Sequence, residues 1–140
     1  MAMPQHAALT LAILLIAPVA HAKDWVRADI YFLDWNVEVR ARLSPEALRK
    51  QTKAEGGDRW YRIRHVSGAA LNQLLDVLQL AKLRPDDREL EDARLVVDLF
   101  DSSGDRTTYY ASRFKLATPD NRLKRAIDQH FRDYFRDATR

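Results

Sequence analysis

The chain has 140 residues, with 23 Lys and Arg against 20 Asp and Glu for a formal net charge of +3, and no cysteine. The missing cysteines exclude thiol catalysis, zinc–thiolate sites and disulfide staples. A surplus of three charges in a chain dense in both signs is not the clustered basic face of a nucleic-acid binder, so no specific nucleic-acid partner is expected.

Met1–Ala22 (MAMPQHAALTLAILLIAPVAHA) has the marks of a cleavable secretory signal peptide. Its apolar run from Ala7 to Ala17 is too short for a permanent span, which needs about 20 apolar residues. It fits the roughly 7–15 residues of a signal-peptide core. Pro18 ends the run, and Ala20-His21-Ala22 puts small residues at both positions a signal peptidase reads. The amino-terminal region carries no Lys or Arg, only His6, so the alternative is an uncleaved tether. All the Lys, Arg, Asp and Glu lie in residues 23–140. That stretch is expected to form a single α+β domain, periplasmic or secreted, with no membrane span after signal cleavage.

Asp29–Leu43 alternates. Tyr31, Leu33, Trp35, Val37 and Val39 fall on one parity and Asp34, Asn36, Glu38 and Arg40 on the other, the pattern of a half-buried strand. The run is long for one strand, so a bend or break is expected near Trp35-Asn36. Ile30 and Phe32 on the opposite parity suggest cover on both faces there. Ser44-Pro45-Glu46 is a helix start, leading into a short helix that stops before Gly56-Gly57. Trp60–Val66 reads as a strand with Tyr61, Ile63 and His65 on one face and Arg62 and Arg64 on the other. Ser67 is placed as the cap of a helix with an apolar stripe through Leu71, Leu74 and Leu78, closed by Pro85. Asp86–Asp92 is a charged connection. Ala93–Phe100 and Thr107–Leu116 form a hairpin around Asp101–Asp105. Thr118-Pro119-Asp120 repeats the cap-and-proline signature and is expected to open a final helix carrying Leu123, Ile127, Phe131 and Phe135. The fold predicted is α+β: a mostly antiparallel sheet of about four strands, with two longer helices and one short helix packed mainly on one face.

Several residues invite a chemical role, and most have a plainer one. Asp101, Ser103 and Asp105 alternate like calcium ligands, but an EF-hand loop needs Gly at its sixth position and Glu at its twelfth. Here those places hold Arg106 and Ser112, so the segment reads as a turn. His65 reads as a packed or edge strand residue, and His130 as part of a solvated helix face. Asp34, Glu38 and Asp98 read as outward surface acids on strands, not as a glycosidase pair. With glycines only at 56, 57, 68 and 104, no phosphate-binding glycine loop can be written. No metal and no cofactor is expected.

The remaining signal is an interleaving of basic and aromatic residues: Arg59, Trp60, Arg62 and Arg64, with Trp25 as a further exposed anchor. Arg and aromatic residues are what protein interfaces favour. The functional expectation is a small exported, non-enzymatic binding module for another envelope or exported protein, of the inhibitor, immunity or assembly-factor kind. The alternatives are a small hydrolase acting on envelope polymers and a small-ligand-binding domain.

Overall fold

The computed structural model describes residues 24–54, 60–90 and 92–140; Met1–Ala22 and Gly56-Gly57 lie outside them. In chain order the elements are β1 (Trp25–Leu33), α1 (Pro45–Ala54), β2 (Tyr61–Ser67), α2 (Gly68–Leu78), a 3-10 turn (Leu80–Lys82), β3 (Arg84–Pro85), β4 (Leu95–Asp101), β5 (Arg106–Ala111), β6 (Lys115–Ala117), β7 (Leu123–Ala126) and α3 (Gln129–Ala138). The strands form one seven-stranded antiparallel sheet in the order β2-β1-β4-β5-β6-β7-β3. The protein is α+β as expected, but the sheet has seven strands where about four were predicted. The extra strands β3, β6 and β7 have two, three and four residues. Runs that short show almost no alternation to read.

The helices also differ from expectation. All three are of similar length, at 10, 11 and 10 residues. Ser44 caps α1 as predicted, its Oγ accepting from the Ala47 N–H at 3.0 Å. Ser67 occupies the capping position of α2, but its hydroxyl makes no capping bond. That helix ends at Leu78, where Gln79 turns left-handed (φ 47°) and its N–H bonds the Leu75 carbonyl, so Pro85 is not its stop. Thr118-Pro119-Asp120 opens no helix. Asp120 Oδ1 accepts from the Thr118 hydroxyl (2.6 Å) and the Arg122 N–H (3.1 Å), and Asn121 takes a φ of 62°. The result is a tight turn into β7, because the residue types that cap helices also stabilise turns. The true cap of α3 is Asp128, which accepts from the Phe131 N–H at 2.9 Å. Leu123, placed by its spacing on a helix face, is instead an exposed residue of β7.

Two helices, α2 and α3, cover one face of the sheet, and α1 covers part of the other. On the first face Ile30, Phe32, Leu95, Val97 and Leu99 pack with Leu71, Leu74 and Leu78 of α2 and Phe131 and Phe135 of α3. Trp35 seals this core. Its ring lies 5.0 Å from Phe32 and 6.4 Å from Phe131, and its Nε1 donates to the Arg132 carbonyl at 2.9 Å. On the second face Tyr31, Leu33 and Val96 pack with Leu48 of α1. The reason lies in β1 and β4, where Ile30–Leu33 and Leu95–Val97 are apolar on both parities, so neither face can be left to water. β1 ends at Leu33 and the chain turns at Trp35-Asn36, the place where a break was expected. Val37, Val39 and Leu43 beyond it still pack on the second-face core.

Asp98, expected at the surface, is 1% exposed. It lies beneath α1 and accepts from Arg49 Nε (2.9 Å), Arg49 Nη2 (2.8 Å) and the Thr108 hydroxyl (2.7 Å). Glu46 reaches the same guanidinium from the first turn of α1. The hydrogen bonds that Arg49 donates to Asp98 are the main reason the Arg49 pKa stands above its ordinary value. Among the described residues no helix is long and apolar enough to cross a membrane.

Candidate functional site

Of the residues singled out by the sequence, Trp60, Arg62 and Arg64 lie on or just before β2, an edge strand of the sheet. Arg59 lies outside the described residues. Trp60 is half-exposed just before β2. Arg62 and Arg64 point to the first face and meet the end of α3. Arg62 Nη1 donates to the Arg136 carbonyl at 3.0 Å, and its Nη2 lies 3.7 Å from Asp34. Arg64 Nη1 donates to the Ala138 carbonyl. Two cations thus sit on the negative end of a helix and satisfy carbonyls that helix geometry leaves open. Trp25 stands at the far end of the β1–β2 ladder, partly buried against the first-face core. The structure therefore places Arg62 and Arg64 on β2 with Trp60 just before it, and keeps Trp25 apart.

The histidines take simple positions. His65 is at the edge, its Nδ1 2.5 Å from Asp29 Oδ1, with Arg27 and Ser67 beside it around a shallow hollow of about 230 Å³. His130 is exposed on α3. Asp101 Oδ1 accepts from the Ser103 and Asp105 N–H groups at 3.0 Å each, which makes the loop a carboxylate-closed turn. Among the described residues no three His, Asp or Glu side chains are grouped to hold a metal ion.

A more developed site lies elsewhere, where helix cover of the second face stops. A groove of about 520 Å³ runs between Arg88, Glu89, Leu90 and Asp92 on one side and Arg42 and the β5–β6 loop on the other. The loop owes its shape to Ser112. Its Oγ accepts from the Phe114 N–H (3.1 Å) and the Lys115 N–H (3.2 Å), and its own N–H donates to the Lys115 carbonyl (3.0 Å). This reversal turns Phe114 outward to 69% exposure, the largest among the exposed hydrophobic residues described. The loop is nonetheless anchored. The Phe114 carbonyl accepts from the Ile127 N–H at 2.9 Å, and the Arg113 carbonyl from Arg132 Nη2 at 2.9 Å.

Two guanidinium groups form the floor. Arg94, 3% exposed, donates from Nε to Asp92 Oδ2 at 2.9 Å and from Nη1 to the Val37 carbonyl. Arg113 donates from Nη2 to the same carbonyl at 3.0 Å. Burial lowers the Arg94 pKa, Asp92 opposes that shift, and the nearby Arg113 charge adds to it. The Arg113 Nε is shielded from water and has no acceptor among the described residues. Asp92 has both oxygens engaged, since Oδ1 accepts from the Leu43 N–H at 2.6 Å. At the rim Lys115 bonds Asp86 at 2.6 Å, which holds that carboxyl down at a pKa of about 2. The lining carries five cations (Arg42, Arg88, Arg94, Arg113, Lys115) and two acids (Glu89, Asp92). Among the described residues the cations outnumber the acids even with Asp86 counted.

No protein-family model, no curated protein and no solved structure matches this chain. The groove rests on its own geometry. Sequence reasoning placed Phe114 inside a continuous strand and passed over Arg94 and Arg113. The usable signal was Arg113-Phe114-Lys115, an aromatic between two cations, the same interleaving that drew attention to residues 59–64.

Proposed function

We propose that this is an exported, non-enzymatic binding module that docks on another envelope or exported protein through the Phe114 groove. Met1–Ala22 directs export, and the α+β portion acts outside the cytoplasm. The observation that carries the docking reading is Phe114, 69% exposed on an anchored loop at the mouth of a basic groove. A large aromatic held out in water by a fixed backbone is a cost in the free chain that a partner removes. Aromatic and arginine side chains together are what binding hot spots use. The hydrolase alternative has less to stand on. Asp98, the most buried of the described carboxylates, is committed to an ion pair with Arg49 and a hydrogen bond from Thr108 beneath α1, which is a structural role.

The test is site-specific photo-crosslinking in cells. A photoreactive residue at position 114 is expected to trap one protein species, and the same probe at Gln73 on α2 is expected to trap none. Equal or absent trapping at the two positions would count against docking through this groove. Amino-terminal sequencing of the exported protein is expected to begin at Lys23, and an intact Met1 would contradict signal cleavage.

A further inference from the structure

We infer that the groove is an oxyanion seat for an acidic polypeptide segment, which sets carboxylates against the guanidinium floor and an apolar side chain against Phe114. This rests on the docking reading above and adds the chemistry of the partner. In the floor, Arg94 and Arg113 are held together by one carbonyl, that of Val37. Among the described residues one carboxylate bonds this pair, Asp92, and both its oxygens are engaged by Arg94 and the Leu43 N–H. Among the described residues two like charges thus face each other with one counter-charge. An oxyanion in the groove supplies the further counter-charge, and charge-assisted bonds to guanidinium are among the strongest available.

The walls extend the pattern. Arg42 and Arg88 are exposed, and among the described residues no hydrogen bond or ion pair engages either guanidinium. They are positioned to meet further carboxylates along a segment. Phe114 decides between classes of polyanion. An anionic glycan or lipid headgroup is polar over most of its surface, whereas a peptide places apolar and acidic side chains side by side. The groove volume, about 520 Å³, lies within the range of sites that enclose small ligands or a few side chains.

The experiment is fluorescence anisotropy with the purified exported protein and a labelled peptide alternating Glu with Leu and Phe. Arms with the Gln-for-Glu peptide, a sulfated polysaccharide and vesicles of anionic phospholipid run beside it. The Glu peptide is expected to bind at least 10-fold more tightly than the Gln peptide, with affinity falling as salt rises. Arg88→Glu and Arg42→Glu should each weaken it about 10-fold and Phe114→Ala by a similar factor, while Gln73→Ala leaves it unchanged. Circular dichroism of each variant checks that the fold is intact. Equal binding of the Glu and Gln peptides, indifference to both arginine reversals, or tighter binding of the glycan or vesicles would each overturn the acidic-segment assignment. A partner trapped at position 114 but unaffected by Arg88→Glu would overturn this assignment alone and leave docking standing. No trapping and no peptide binding would overturn both.

Discussion

On one face of the sheet α2 and α3 close a continuous apolar core around Phe32, Trp35, Phe131 and Phe135. On the other, α1 is fixed by Leu48 together with the buried Arg49–Asp98 pair, and cover gives way to the Phe114 groove at the β5–β6 end. Arginines appear on both sides with different roles. On the first face they finish helices: Arg62 and Arg64 hold the end of α3, and Arg125 holds the end of α2 through the Leu78 and Val77 carbonyls at 2.8 Å each. On the second face Arg94 and Arg113 share one carbonyl and face an open groove. A basic residue is therefore informative about binding only once its backbone partners are known.

The comparison can be broken most severely by removing one member from each core. Phe131→Ala on the first face should cost about 4 kcal/mol, from lost transfer energy and the cavity left behind. Asp98→Ala on the second should cost about 3 kcal/mol, because it strands a buried guanidinium. The two are separated by rescue in chemical denaturation: Arg49→Met combined with Asp98→Leu should recover most of the second loss, and no polar change should recover the first. If Asp98→Ala is neutral, the ion pair is not what holds α1. A smaller effect is expected from Arg125→Met, which leaves the last carbonyls of α2 open. It should lower stability by about 1–2 kcal/mol, with faster hydrogen exchange confined to α2. The smallest effect concerns pH. Asp86 is held at about 2, below its ordinary 3.8, chiefly by the Lys115 hydrogen bond. A depressed carboxyl contributes fully above the ordinary value, and the contribution is lost as pH falls through about 2. Urea midpoints measured from pH 5 to 2 should therefore decline less in Lys115→Met than in the parent.

Much of the fold was legible because β1, β2, β4, β5, α1 and α2 each carry a full period of pattern. The short strands β3, β6 and β7 did not, and Thr118-Pro119-Asp120 carried a cap signature that tertiary pairing turned into a bend. Asp98 illustrates a different limit. Its parity was assigned correctly, on the side away from Val97 and Leu99, but parity does not say what covers a face. Arg49, 49 residues away in sequence, supplies the cover and the counter-charge, and nothing local announces that pairing. The groove was hidden for the same reason. Arg42, Arg88 and Arg113 come from three separate connections, and only the sheet brings them together.

The margins of the sheet are unequal. Among the described residues β2 offers seven residues of edge, while the opposite margin, β3, is two residues long and contains Pro85, which has no N–H to give. A ribbon that grows by strand pairing needs two competent margins per subunit. Among the described residues there is one, so edge-to-edge pairing through β2 alone joins two copies and leaves no second margin for a third.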